Sequence, residues 1–126
     1  MRAVDINVLV RLITRDDPRQ AAQADGFIAS GAWVSHLVLA ETTWVLSEVY
    51  DLDAAKIATV IDMLLGHDTL SIQESDVVRA ALEHFRRRPK LGFSDCLVLA
   101  VARTAGHLPL GTFDRDLGKL GGTQRL

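Results

Sequence analysis

The chain lacks most of the features that mark unusual proteins. Its 126 residues contain a single cysteine, Cys96, so no internal disulfide can form, and a reducing compartment suits it. Three prolines are too few for a proline-rich linker. No apolar run approaches the roughly 20 residues that a membrane-spanning helix needs. Asp5 interrupts the only stretch that could form the core of an export signal, so we expect a cytoplasmic protein.

The chain also lacks a large excess of charge of either sign. The formal net charge of −2 excludes a uniformly basic protein that coats nucleic acid, so any such binding needs a local basic patch. Apolar residues make up 48% and charged residues 24%, which is typical of a globular domain. We therefore expect residues 1–126 to form one domain that needs neither a disulfide nor a metal to fold.

Short strands are predicted to alternate with longer helices. We expect strands at residues 2–5, 32–34, 69–72 and 108–112. We expect helices at about residues 6–14, 18–30, 36–50, 53–65, 76–88 and 93–105. This order predicts an α/β fold, a three-layer α/β/α sandwich around a short, mainly parallel central sheet. The tail at residues 121–126 shows no convincing strand pattern, which leaves one edge of the sheet open.

Three carboxylates have apolar neighbours in the sequence. Glu41 is predicted to emerge from the apolar face of its helix, Asp95 opens the apolar run at 96–100, and Asp5 ends an apolar strand. Each of them alone could be a helix cap or a strand-end acid bonded to backbone amides. Burying an ionised carboxylate is costly unless a cation or hydrogen bonds compensate it.

The predicted topology brings these acids toward one place. Asp5 and Asp114 follow strands, and Asp95 starts the helix before the last predicted strand. Sites in parallel sheets lie beyond the carboxyl ends of the strands. Crowded carboxylates repel one another, and no lysine lies within these motifs. Oxygen ligands of this kind suit Mg²⁺ or Mn²⁺, which activate water for attack on a phosphodiester.

Four stretches in series carry a resemblance to a known family. They are VDINVLVR at 4–11, LAE at 39–41, FSDCL at 93–97 and TFDRD at 112–116. The chain resembles a PIN-domain ribonuclease, specifically a VapC-type toxin of a type II toxin–antitoxin pair. The resemblance covers essentially the whole chain in order and in spacing.

The resemblance implies a set of site residues and an activity. The metal-binding acidic site would consist of four residues: Asp5, Glu41, Asp95 and Asp114. Asp5 and Asp95 would be the closest ligands of Mg²⁺ or Mn²⁺, and the other two would act directly or through water. Asn7 and Thr112 would orient the carboxylates by hydrogen bonds. Asp116 is expected to be a surface residue, and Cys96, where the family favours a small residue, a packing variation.

Binding partners follow from the residues and from the resemblance. Arg86, Arg87 and Arg88 form a basic segment that either grips RNA phosphates or simply complements a helix C-terminus. Helices 6–14 and 18–30 are apolar enough to leave a groove, for which the resemblance supplies a cognate antitoxin helix as occupant. The domain's own helices could instead cover both faces. A homodimer is compatible with this arrangement, and no membrane partner is expected.

Other functions fit less well or stay open. A phosphorelay receiver domain needs a lysine directly after a late strand, and none of the three lysines stands there. A haloacid-dehalogenase-type phosphatase needs an acid where Asn7 stands. A non-catalytic PIN-like module that only binds a partner or RNA remains the alternative, and loss of an acid would identify it. The four histidines show no pairing typical of a histidine-based nuclease.

Overall fold

The computed structural model describes all residues from 1 to 126, and the chain forms two compact units, Met1–Ser75 and Asp76–Leu126. Six α-helices and short strands in parallel pairs confirm the predicted α/β class. None of the helices could cross a bilayer, because the longest have 13 residues.

The first unit is built around a parallel sheet of three strands. Its elements are β1 (Arg2–Ala3), α1 (Ile6–Thr14), α2 (Pro18–Ile28), β2 (Ala32–Val34), α3 (His36–Glu48), α4 (Ala54–Leu65) and β3 (Leu70–Ile72). The strand order is β1-β2-β3, with Ala3 opposite Trp33 and Trp33 opposite Ser71. Because the strands run parallel, the helices that follow β1 and β2 start at the same edge of this sheet.

Side-chain caps explain where the helices of this unit begin. Asp17, Ser35 and Asp53 accept hydrogen bonds from the backbone N–H groups three residues ahead, at 2.9–3.1 Å. Such caps satisfy N–H groups that have no partner within the helix. The predicted starts of α2, α3 and α4 are therefore confirmed.

The second unit contains two helices and a pair of strands. Its elements are α5 (Ser75–Arg87), a 3₁₀ turn (Pro89–Leu91), α6 (Phe93–Ala105), β4 (Leu110–Thr112), a second 3₁₀ turn (Leu117–Lys119) and β5 (Thr123–Arg125). The tail therefore does form a strand, which pairs in parallel with β4 and places Leu110 opposite Thr123. α5 begins at Ser75, one residue before the predicted start of this helix.

The start of α6 is fixed from both sides. Phe85 near the end of α5 meets Phe93 edge to face, with ring centroids 6.1 Å apart, an arrangement that aromatic pairs prefer. Gly92 has φ = 76° and ψ = 151°, a backbone conformation open essentially to glycine alone. Gly106, at φ = 83°, ends the helix as predicted. These contacts place Asp95 in the first turn of α6.

Candidate functional site

Asp95 is the candidate acid with the most unusual surroundings. It lies half-buried in the first turn of α6, and burial followed by the charge of Asp114 raises its pKa. Neither cause is a cationic side chain, so no arginine or lysine compensates the ionised form. The structure therefore brings Asp95 and Asp114 into electrostatic contact, as the sequence predicts.

Asp114 is held rigidly by backbone groups. It follows β4 by two residues, and its Oδ1 accepts hydrogen bonds from the N–H groups of Asp116 and Leu117, both at 2.8 Å. The Oγ1 of Thr112 accepts from the N–H of Asp114 at 3.0 Å. Thr112 therefore positions the backbone of this turn and not, as expected, the carboxylate. Oδ2 of Asp114 has no protein partner and stays available to a ligand.

Asp5 stands at the carboxyl edge of the first unit's sheet. Its Oδ1 accepts from the N–H of Ile6 at 2.7 Å, which makes Asp5 the N-cap of α1. The N–H of Val4 donates to the carbonyl of Trp33 at 3.1 Å, so the pairing with β2 extends almost to Asp5. β1 itself ends at Ala3, so the strand is shorter than the predicted 2–5, and Asp5 lies just beyond it. It is exposed, and capping occupies only one of its two oxygens.

Glu41 lies on an exposed face of α3. α3 buries Leu39, Thr42, Thr43 and Leu46, and the face that carries Glu41 is exposed. Its neighbours Leu37 and Trp44 are 72% and 57% exposed. The prediction that Glu41 belongs to an apolar face is confirmed, but that face points to solvent, so burial does not explain its carboxylate.

The remaining predicted residues have varied surroundings. Asn7 makes no hydrogen bond to Asp5 and instead lines a groove between α1 and α2. Cys96 is fully buried, and burial raises the pKa of its thiol to about 11, so it stays protonated and unreactive. Asp116 is exposed and 3.7 Å from Lys119, consistent with a surface residue.

The basic segment Arg86–Arg88 lies on the surface. All three side chains are exposed, and Arg87 forms an ion pair of 3.5 Å with Glu83 one turn before it. Such an exposed ion pair on a helix surface contributes little to stability. The segment therefore lies on the solvent-exposed surface of the second unit.

Sequence reasoning missed the polar lining of the α1–α2 groove. The groove is lined by Asn7, Val8, Arg11, Gln20, Gln23, Ala24 and Phe27. The last four recur at three- and four-residue intervals along α2, which is the spacing of one helix face. The sequence therefore carries the signal for this face, but the predicted groove took only its apolar residues into account.

Within neither unit do three or more His, Cys, Asp or Glu side chains gather into a group that could hold a metal ion. Asp95 and Asp114 form a pair in the second unit, whereas Asp5 and Glu41 lie in the first unit. Pairs of this kind suit Mg²⁺, which usually binds through one or two carboxylates and completes its shell with water and substrate phosphate.

Comparison with known proteins identifies the family. No curated protein matches the chain. The family model described as the PIN domain matches residues 3–122, which covers nearly the whole chain and includes all four candidate acids. PIN domains are in general metal-dependent nucleases, which act as hydrolases on nucleic acid. The chain belongs to the PIN domain family.

Proposed function

We propose that this protein is a metal-dependent endoribonuclease and the toxin of a toxin–antitoxin pair. Asp5, Glu41, Asp95 and Asp114 are its proposed acidic residues. The observation that carries the nuclease proposal is the half-buried Asp95, which faces a second carboxylate and no compensating cation. Burial beside another carboxylate disfavours the ionised form of Asp95, and a bound metal ion would offset this cost.

The donor atoms fit Mg²⁺ or Mn²⁺. Neither oxygen of Asp95 has a hydrogen-bond partner, and Asp114 and Asp5 each have one free oxygen. All of these are hard carboxylate oxygens, and neither histidine nor the buried Cys96 thiol is needed as a ligand. Asp95 and Asp114 would hold the ion in the second unit, and Asp5 and Glu41 are proposed to act directly or through water.

Asp95 and Asp114 would have separate roles in the mechanism. A bound divalent cation supplies an acidified water and neutralises charge on the phosphorane-like transition state. Asp95 contributes negative charge from a site that partly excludes solvent. The turn at Asp116 and Leu117 holds Asp114 in one orientation, so no reorganisation is required during the reaction. In-line attack would leave a 5′-phosphate and a 3′-hydroxyl.

The basic segment Arg86–Arg88 is proposed to contact the phosphates of RNA. Its three exposed guanidinium groups match the charge and the geometry of a phosphate backbone. Replacing all three by serine should weaken RNA binding and reduce its dependence on salt, because fewer counterions are then released. An unchanged salt dependence would contradict this contact.

The toxin proposal rests on apolar side chains exposed beside an acid. Leu37 and Trp44 flank Glu41 on α3, so an amphipathic helix of a cognate antitoxin could bury both and pair a basic side chain with the carboxylate. The groove between α1 and α2 is more polar than the sequence predicts and fits such a helix less well. A homodimer and a cytoplasmic location are compatible with this proposal.

Two experiments test these proposals separately. Purified wild-type protein should cleave RNA in Mn²⁺ and lose this activity in EDTA, and Asp95→Asn should be inactive while remaining folded. Equal cleavage by both proteins, with contaminating nucleases excluded, would refute the nuclease. The toxin proposal predicts that expression alone arrests growth and that the protein encoded next to this chain relieves the arrest and co-purifies with it.

A second candidate is a PIN-domain module that binds RNA or a partner without cleaving. It is favoured by the absence of a three-acid group within either unit. The presence of acids at all four predicted positions favours the enzyme. Metal-dependent cleavage that Asp95→Asn abolishes would exclude the non-catalytic module, and RNA binding without any cleavage would support it.

A further inference from the structure

The groove between α1 and α2 has a volume of about 350 Å³, which is within the range of clefts that hold small ligands. Its lining combines an arginine, three amide side chains and an aromatic ring: Arg11, Asn7, Gln20, Gln23 and Phe27. Only two further residues, Val8 and Ala24, complete it. This is an unusual mixture for a groove between packed helices, and its chemistry indicates what can bind there.

Arg11 is fixed, and it fixes an amide in turn. Its Nε donates to Oε1 of Gln20 at 2.6 Å, and its Nη1 donates to both Asp16 and the hydroxyl of Tyr50 at 3.2 Å. A guanidinium has no acceptor, so Gln20 must turn its oxygen toward Arg11 and keep its NH₂ group free to donate. The orientation of one hydrogen-bonding group in the groove is thereby set before any ligand arrives.

Asn7 and Gln23 leave their amides without a protein partner. Both side chains are exposed and line the groove, and each offers an N–H donor beside a carbonyl acceptor. An apolar helix docked here would cover these amides without satisfying them, which is costly. A ligand with its own donors and acceptors is the better occupant.

Phe27 supplies a flat apolar surface beside these amides. The guanidinium of Arg2 lies 3.9 Å from the ring centroid and also donates to the Phe27 carbonyl at 3.1 Å, so the ring is held in place. The ring is only half-buried, and it lines the groove. An aromatic ring that is held rigidly, next to hydrogen-bonding amides and a cation, is the arrangement that binds an unstacked nucleobase.

We propose that this groove binds a base of single-stranded RNA. The proposal rests on the proposed ribonuclease function and adds a substrate subsite to it. The base stacks on Phe27, and the amides of Asn7 and Gln23 hydrogen bond to its edge. Asn7 lies two residues from Asp5 in the first turn of α1, so the groove begins beside a proposed catalytic acid. Because Asn and Gln amides match the donor–acceptor pair of adenine, adenine is the preferred base.

The test measures the affinity of the full chain for fluorescent five-nucleotide RNAs in EDTA, so that binding does not depend on cleavage. Gln23→Ala should weaken binding of the adenine oligomer about tenfold and that of the uracil oligomer less, because it removes base-edge contacts. Phe27→Leu should weaken both about tenfold through lost stacking. Gln124→Ala, at an exposed glutamine of β5, is the matched control and should change neither affinity.

Each result separates this proposal from the ribonuclease proposal itself. Unchanged RNA affinity in both Gln23→Ala and Phe27→Leu overturns the subsite, even if wild type cleaves RNA and Asp95→Asn does not. Gln23 is exposed, so Gln23→Ala remains informative if Phe27→Leu fails to fold. If Gln23→Ala leaves RNA affinity intact but weakens binding of the protein encoded next to this chain, the groove is a protein site and the proposal is wrong.

Discussion

Asp16 and Asp25 in the first unit and Asp95 in the second unit have opposite electrostatic surroundings. In the first unit, Asp16 accepts hydrogen bonds from Tyr50 and Thr14, both at 2.8 Å, and these bonds lower its pKa. Asp25 receives two hydrogen bonds from the guanidinium of Arg15, at 3.1 and 2.7 Å, with the same effect on its pKa. Their ionised forms are thus compensated by direct partners.

In the second unit, Asp95 has another acid as its electrostatic neighbour, and its pKa is raised. The compensated acids of the first unit hold α1, α2 and the region of Tyr50 together, so they need no functional explanation. Asp95 holds nothing together, because neither of its oxygens has a hydrogen-bond partner. Asp95 contributes least to holding the fold together, and it is therefore the strongest functional candidate among these acids.

The largest expected effect is the loss of RNA cleavage in a variant of Asp95. Asp95→Asn should reduce metal-dependent RNA cleavage at least about a hundredfold, because it removes a charge that the transition state needs. Asp76→Asn is the matched control, since Asp76 is also in the first turn of a helix of this unit but is exposed. It should leave the rate unchanged in the same assay. A similar loss in both variants would show that the effect is not specific to Asp95.

The next effect concerns the two faces of α3. Leu46 is fully buried and Leu37 is 72% exposed. Leu46→Ala should therefore lower the free energy of unfolding by about 3 kcal/mol through the cavity that it leaves. Leu37→Ala should change it by less than about 0.5 kcal/mol. Urea unfolding of both variants measures the difference, and equal losses would mean that the Leu37 face is covered, for example by a second copy of the chain.

α3 also shows why the sequence did not predict the surroundings of Glu41. The helix is apolar on several sides, so its pattern does not identify the buried side. Thr42 and Thr43 are buried because their hydroxyls donate to carbonyls one turn back, at 2.7 and 2.8 Å. A hydroxyl that is satisfied by its own helix can enter the core, whereas Trp44 remains outside.

Other elements were predictable because their signals are local. The caps at Asp17, Ser35 and Asp53 and the glycine stop at Gly106 each depend on one residue and its neighbours, and the sequence predicts all four helix ends. β5 was missed because its strand character comes from pairing with β4 and not from its own residues. Of the site, the contact between Asp95 and Asp114 was predictable from topology, whereas the hydrogen bond from Asp114 to Thr112 was not.

The third effect compares how helices in the two units use glycine. Gly106 ends α6 at φ = 83°, in the left-handed region. Gly106→Ala should lower the free energy of unfolding by about 1 kcal/mol, because this conformation is unfavourable for alanine. Gly26 lies inside α2 with open space around it. Gly26→Ala should stabilise the protein by about 0.8 kcal/mol, since alanine favours helix. Thermal unfolding should show shifts of opposite sign, and two shifts of the same sign would contradict the assigned backbone conformations.

The smallest expected effect is a pH dependence of stability, because solvent screens the half-buried Asp95. A raised pKa means that the folded state binds this proton more tightly than the unfolded state does, so stability falls as pH rises from about 3.8 through the folded-state pKa. Asp16 and Asp25 have lowered pKa values, so their stabilisation is lost only below about pH 3.8.

The two pH windows can therefore be separated with one variant. Relative to wild type, Asp95→Asn should become steadily more stable as pH rises above about 3.8 in EDTA, and the difference should level off once Asp95 is ionised in the folded state. Because a divalent cation favours the ionised form, added Mg²⁺ should reduce this difference at neutral pH. Unfolding by urea across pH measures both. If wild type instead gained stability over the variant with rising pH in EDTA, Asp95 would have to be compensated like the acids of the first unit.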